Sequence, residues 1–240
     1  MFQLTRDADV FTLTMDAGEN RWNTAFVRGL AAVLDEVEAS TGAAALVTTA
    51  SSPKFYSNGL DLAWRRDPAA HPEAGDPAVF ADEFMKLMAR VITFPVPTLA
   101  AVNGHAFGAG LMFALCHDIR HMRADRGYLC ANEMQLGLAI PTPELALFRH
   151  KLSQDVFFET VQLARRWTAD EALARGIVQA TAPVDALLPG AQARAAELAP
   201  LGAKRELYRG QKERLYGENA VLNGPHGAAY MLRNLSLYGH

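Results

Sequence analysis

Three short stretches of the 240-residue sequence combine residue types that could do chemistry. In YLCANEMQLGLAIP, Glu133 stands alone among apolar neighbours at a strand-to-loop step. A carboxylate in such surroundings has its charged form disfavoured, so its affinity for a proton rises toward what a general acid or base needs near neutral pH. An exposed loop glutamate is the competing reading of this position. The second stretch, residues 100–118, reads AAVNGHAFGAGLMFALCHD. An apolar, β-branched run over residues 97–102 meets a turn at Asn103 and Gly104. Gly108, Ala109 and Gly110 then open an apolar run with helical spacing. A strand that turns into a helix through small residues leaves N–H groups unpaired at the helix start, with the positive end of the helix dipole behind them. The small side chains let a ligand approach that backbone. The third stretch, FYSNGLDL at residues 55–62, follows the apolar run 43–48 and is again a strand end opening into a glycine turn. Two such turns after neighbouring strands could aim one N–H each at a single carbonyl oxygen. Taken singly, each is also an ordinary packed strand–helix turn.

At these residues the sequence resembles the enoyl-CoA hydratase/isomerase, or crotonase, family. The family's FSAGxDL-like turn stands here as FYSNGLDL and its AVNGxAxGGG-like turn as AVNGHAFGAG, in the expected order, and the surrounding pattern fits from about residue 2 to about residue 216. NEMQLGLAIP is similar to the NExQLGxxxP pattern of the Δ3,Δ2-enoyl-CoA isomerase branch, whose glutamate is the single catalytic acid and base. The resemblance implies that Glu133 takes a proton from the carbon next to a thioester and returns it at C4. It implies an oxyanion hole from the backbone N–H groups of Leu60 and Ala109. The adenine of CoA would lie along FYSNGLDL, with Ser57, Asn58 and Leu62 as contacts and Gly59, Asp61, Gly108 and Met112 as further residues of the acyl-CoA site. Arg21 would help to hold the CoA phosphates, with Lys204 and Lys212 as weaker candidates. No metal or cofactor is expected, because coenzyme A is part of the substrate.

One departure from the family is informative. Hydratases carry a second glutamate two residues after the glycine turn, where this chain has Leu111 and then Met112. Adding water needs two carboxylates to position and activate it, so hydration in that manner is not expected. Glu144 follows Pro143 in PTPELALF and could reach the pocket from the next helix, although a place in the first turn of a helix also explains it. The alternatives are another crotonase-type acyl-CoA enzyme, such as a thioesterase or a hydratase that uses Glu133 with Glu144, or a non-catalytic CoA-binding relic. A relic has no reason to keep a lone buried carboxylate.

The elements that must position these residues alternate between strand and helix periodicity. Residues 2–4 and 10–15 read as strands around a turn at 7–9, and 43–49 as a buried strand. Between them Thr24 caps a helix over 25–39. Residues 67–77 read as a loop in which His71 is solvated, and 78–94 as an amphipathic helix. Strands follow at 118–122, 128–131 and 177–180, with helices at 145–152, 156–166, 168–174, 184–198 and 201–216. Thr168 and Glu171 form a capping box. Beyond Gly217 the chain is Gly- and Asn-rich, then apolar over 230–238. This predicts an α/β protein. The resemblance makes it a crotonase-like spiral of β-β-α units with two roughly perpendicular sheets, a core over residues 1–187 and a helical trimerisation region over 188–240. A homotrimer or hexamer is implied, with modest support from the apolar tail.

Composition agrees. Half of the residues are hydrophobic, enough for a substantial core, and with a net charge of −3 nothing favours nucleic acid through bulk charge. Cys116 and Cys130 have no metal-ligand spacing and read as buried free thiols. No leader pattern or membrane-length apolar run is present, so a soluble cytoplasmic protein without nucleic-acid or membrane partners is expected.

Overall fold

The computed structural model describes residues 1–218 and 226–238. Phe2–Asp7 (β1) and Val10–Met15 (β2) pair antiparallel around Ala8, whose φ of 48° closes the turn. From β2 onward the sheet is parallel, because each return crosses through helical segments. Ala45–Ala50 (β3), Thr98–Val102 (β5), Ile119–Arg123 (β7) and Ala180–Ala182 (β9) complete a sheet in the order β1-β2-β3-β5-β7-β9. Phe55–Ser57 (β4), His105–Phe107 (β6) and Leu129–Cys130 (β8) form a smaller parallel sheet in the order β4-β6-β8. A strand of the large sheet is thus followed three times by a strand of the small one and then by a helix. This is the expected spiral.

Thr24–Ala39 (α1) and Pro77–Ile92 (α3) each bury one apolar stripe, including Phe26, Leu30 and Leu34 on α1 and Phe84, Leu87 and Met88 on α3. The cap of α1 is Asn23, not Thr24. Its Oδ1 accepts the Phe26 N–H at 2.9 Å, while the Thr24 hydroxyl donates to the Asp76 carbonyl at 2.7 Å. Residues 67–77 are more ordered than a loop. After Leu62–Arg66 (α2) come two 3-10 turns, Pro68–Ala70 and Pro72–Ala74, each begun by the fixed φ of a proline. Trp64 is fully buried above them, and its indole N–H donates to the Gly75 carbonyl at 3.0 Å. Ala109–Cys116 (α4) is buried all round and runs through the middle of the core.

The second half of the chain carries Glu133–Leu136 (α5), Thr142–Lys151 (α6), Gln154–Val161 (α7), Ala169–Ala174 (α8), Val184–Leu198 (α9), Arg205–Tyr216 (α10) and Ala228–Arg233 (α11). The capping box of Thr168 and Glu171 is present. Helix α7 stops short of residue 166 because Ala164 takes a positive φ of 47°. The strand expected at 177–180 forms later, as β9, since Ile177 and Val178 drop into the core.

The division expected at residues 187/188 falls inside α9. Leu187, Ala191 and Ala195 of that helix pack as one cluster with Val47, Leu99 and Ala101 of the large sheet. The apolar tail does not wait for a neighbour: α11 lies against α3 and α6, and Ala228, Ala229, Leu232 and Leu235 join the main core. Arg233 clamps it with a bidentate pair to Glu213 at 2.6 and 2.9 Å. Burial of these residues within their own chain removes the argument from the tail to an oligomer. Most of the Gly- and Asn-rich stretch lies outside the described residues. Leu232→Ala should lower the free energy of unfolding by about 2–5 kcal/mol, read from denaturant midpoints at unchanged slope. A loss under about 0.5 kcal/mol would place Leu232 outside the core.

Candidate functional site

Strands β4, β6 and β8 run parallel as neighbours, so their carboxyl ends open on the same side of the small sheet. β4 runs out into Asn58, Gly59 and Leu60, β6 into Gly108 and Ala109, and β8 into Asn132 and Glu133. Phe107 is in register with Cys130, and the Gly108 N–H donates to the Cys130 carbonyl at 2.9 Å. That bond brings the second glycine turn and the glutamate together. A Cβ on Gly108 would lie 2.9 Å from Oε1 of Glu133, and its φ of 50° also favours glycine. Gly59, with φ 77°, is pressed against the same turn: a Cβ there would lie 2.8 Å from the Phe107 carbonyl oxygen and 3.8 Å from the Ala109 nitrogen.

The direction of the two candidate amides follows from peptide geometry. In a trans peptide the C=O of one residue and the N–H of the next point to opposite sides. The Trp22 N–H donates to the Gly59 carbonyl at 2.9 Å, so the Leu60 N–H faces away from Trp22. The Gly108 carbonyl accepts the Met112 N–H at 3.0 Å along α4, so the Ala109 N–H faces out of the helix start. Among the described residues neither amide has a hydrogen-bond partner. Both residues line one cavity of about 510 Å³.

Glu133 and Glu144 line that cavity too. Among the described residues Oε2 of Glu133 is buried without a partner. Burial raises the proton affinity of Glu133 above the ordinary carboxylate range, with its own backbone N–H acting against the shift. Glu144 is pushed up to about 8, first by burial of its carboxyl and then by the charge of Glu133. Phe80, Phe84 and Met85 of α3 form an apolar wall, and Arg21 and Arg65 bring positive charge to the lining. Arg21 is half-exposed and already paired with Glu19 at 2.6 Å.

Of the residues singled out in the sequence, Arg21, Asn58, Gly59, Leu60, Leu62, Gly108, Ala109 and Glu133 meet in this cavity. Three others do not line it. Ser57 is fully buried: its hydroxyl accepts the Trp22 indole N–H at 3.0 Å and donates to the Asn20 carbonyl at 2.7 Å, so it braces the turn from behind. Asp61 caps α2 by accepting the Trp64 N–H at 3.1 Å. Met112 is buried in the core on α4. Lys212 is committed to Asp118 at 2.8 Å and, with Lys204, borders a different cavity of about 680 Å³ that contains neither glycine turn. Arg65 was missed, although it sits three residues after Leu62 on a helix and so shares its face. Among the described residues no cluster of His, Cys, Asp and Glu could hold a metal ion.

A family model described as enoyl-CoA hydratase/isomerase matches residues 5–216. The chain belongs to the enoyl-CoA hydratase/isomerase family. It is similar to enoyl-CoA delta isomerase 2, peroxisomal, of Arabidopsis thaliana, 32% identical over 185 residues that cover 76% of this chain and 77% of that protein. It is also similar to enoyl-CoA delta isomerase 1, peroxisomal, of the same plant, 36% identical over 70% of this chain and 69% of that one. A carnitinyl-CoA dehydratase of Citrobacter koseri is 33% identical over 70% of this chain and 64% of its own length. Among solved structures, a probable enoyl-CoA hydratase from Mycobacterium tuberculosis H37Rv superposes with a TM-score of 0.81 at 23% identity, covering 98% of this chain and 94% of that one; this likeness bears on the fold alone.

The two carboxyls of this family member set a pH dependence of stability. Between about 4.5, the ordinary value, and about 8, folded Glu144 holds a proton that the unfolded chain releases. The unfolded state therefore binds fewer protons, and stability declines as pH rises through that window. Glu144→Gln should remove a decline of a few kcal/mol between pH 5 and pH 9 in denaturant titrations. Equal slopes for the two proteins would show that Glu144 titrates normally.

Proposed function

We propose that the chain is a Δ3,Δ2-enoyl-CoA isomerase that moves the double bond of a 3-enoyl thioester into conjugation. The observation that carries this reading is the Glu133 carboxyl, unpartnered at Oε2 and set against Gly108, beside the free amide of Ala109. Glu133 takes a proton from C2, between the thioester and the double bond. The charge that develops on the thioester oxygen is met by the Leu60 and Ala109 N–H groups, the kind of fixed donor whose single loss costs about 10²–10³-fold in rate. A proton then returns at C4. The apolar wall of Phe80, Phe84 and Met85 suits an acyl chain and keeps bulk water from the dienolate. Arg21 and Arg65 suit the phosphates of CoA. The delta isomerase names of the Arabidopsis relatives support the same reaction.

Glu133→Gln keeps shape and hydrogen bonding but cannot accept the proton. It should cut isomerisation of a 3-enoyl-CoA at least 10²–10⁴-fold, followed as ultraviolet absorbance of the conjugated thioester, while leaving acyl-CoA binding nearly intact. A variant that retains most of the rate puts the base elsewhere. Hydration of a 2-enoyl-CoA, run in parallel, should be slow in both proteins. Assembly into homotrimers belongs to the same reading, supported by exposed Leu201, Leu207 and Leu215 along the α10 region. A monomer mass by light scattering at micromolar concentration would contradict it.

A further inference from the structure

We propose that Glu144 is the acid of the reaction: it enters each turnover carrying a proton and gives that proton to C4, while Glu133 takes the proton from C2. This assignment rests on the isomerase reading above. Both carboxyl-bearing residues line the same cavity, but they arrive from different elements, Glu133 from the end of β8 and Glu144 from the first turn of α6.

A glutamate at the third position of a helix commonly reaches back to the N–H of the capping residue. That role is closed here. The cap of α6 is Pro141, which has no N–H, and the helix start has no side-chain cap bond. Among the described residues the Glu144 side chain makes no hydrogen bond and no ion pair. Arg21 and Arg65 are the cations of the cavity lining, and Arg21 is held by Glu19. Among the described residues no side-chain partner therefore holds the Glu144 carboxyl, and it lines the cavity that Glu133 lines.

Two carboxyls facing one poorly solvated space do not both ionise cheaply, so the pair divides into a base and an acid. Burial and the charge of Glu133 push Glu144 up to about 8, which keeps it protonated at neutral pH. Glu133 is raised by burial, with its own backbone N–H acting against the shift, and it is the base of the pair because its carboxyl lies against Gly108 at the turn that presents the Ala109 amide. Once Glu144 has given up its proton, the start of α6 steadies the carboxylate that remains.

The step balances. The C2–H bond breaks toward Glu133 and its electron pair enters the thioester enolate. As the carbonyl re-forms, that pair becomes the C2–C3 double bond, and the former C3–C4 π electrons form a C4–H bond with the proton of Glu144. Glu133 ends protonated and Glu144 ionised. Transfer of one proton from the first to the second, through the cavity they share, restores the starting state.

The test is a 3-enoyl-CoA deuterated at C2, converted in ordinary water in a single turnover with enzyme in excess, before any transfer between the two carboxyls, with the product read by mass spectrometry and NMR. Wild type should place protium at C4, because the deuterium stays on Glu133. Glu144→Gln should slow turnover about 10²-fold or more at unchanged affinity for a saturated acyl-CoA, and its residual product should carry deuterium at C4, since Glu133 must then do both transfers. Glu144→Asp, which retains an acid, should restore protium at C4 and guards against a folding defect. Deuterium at C4 in wild type at the level seen in Glu144→Gln overturns the proposal, as does a Glu144→Gln rate equal to wild type. A slower Glu144→Gln with no change of label makes Glu144 a shaping residue and also overturns it. With wild type active and Glu133→Gln inactive, those outcomes strike this proposal alone; a wild type that converts no 3-enoyl-CoA strikes the isomerase reading as well.

Discussion

The parallel pairing of three very short strands is the constraint on which the site depends. β4, β6 and β8 contribute few residues, yet their shared direction makes all three chains emerge at one edge of the small sheet. Were β8 antiparallel to β6, Glu133 would leave from the far end, about a strand length away. The register bond between Gly108 and Cys130 then fixes which residue of β8 faces the turn. The large sheet and its helices form the scaffold that holds these strands at that pairing.

The turn that presents Leu60 is braced from behind. Trp22 donates its backbone N–H to Gly59, accepts the N–H of Asp61 at 2.9 Å, and gives its indole N–H to Ser57. Its ring packs edge-on against Phe26, Phe84 and Phe113 at 4.9, 5.0 and 5.3 Å. The Gly59 carbonyl and the Asp61 N–H on either side are thus satisfied within the protein, and among the described residues the Leu60 N–H between them has no partner. An unpaired donor in a half-buried turn is costly in a resting protein. Here the cost is met by a rigid aromatic surround, which also spares the site any reorganisation when charge develops.

Much of this was legible in the sequence, because glycine turns and the strand–helix alternation are written locally. The two turns, Glu133, the capping box at Thr168 and the long helices are all visible as spacing. The errors have a common cause in tertiary contact. Ser57 and Met112 sit inside good motifs, but whether a side chain points to a cavity or to the core depends on what lies behind it. For Ser57 that is Trp22, thirty-five residues earlier. Asn23 outcompetes Thr24 as a cap because Asp76 claims the Thr24 hydroxyl. Glu144 was visible as a possibility, but its isolation from structural partners is evident only once Pro141 is seen to be the cap.

The placement of α11 ties events that are far apart in time. Phe80, Phe84 and Met85 of α3 wall the cavity, and α3 is in turn held in place by α11. On the ribosome the glycine turns and Glu133 emerge almost a hundred residues before α11 does, counting from Glu133 to Ala228. A nascent chain therefore holds both glycine turns and Glu133 well before it holds the buttress behind the pocket wall. The wall of the cavity is thus completed only after nearly the whole chain has been made.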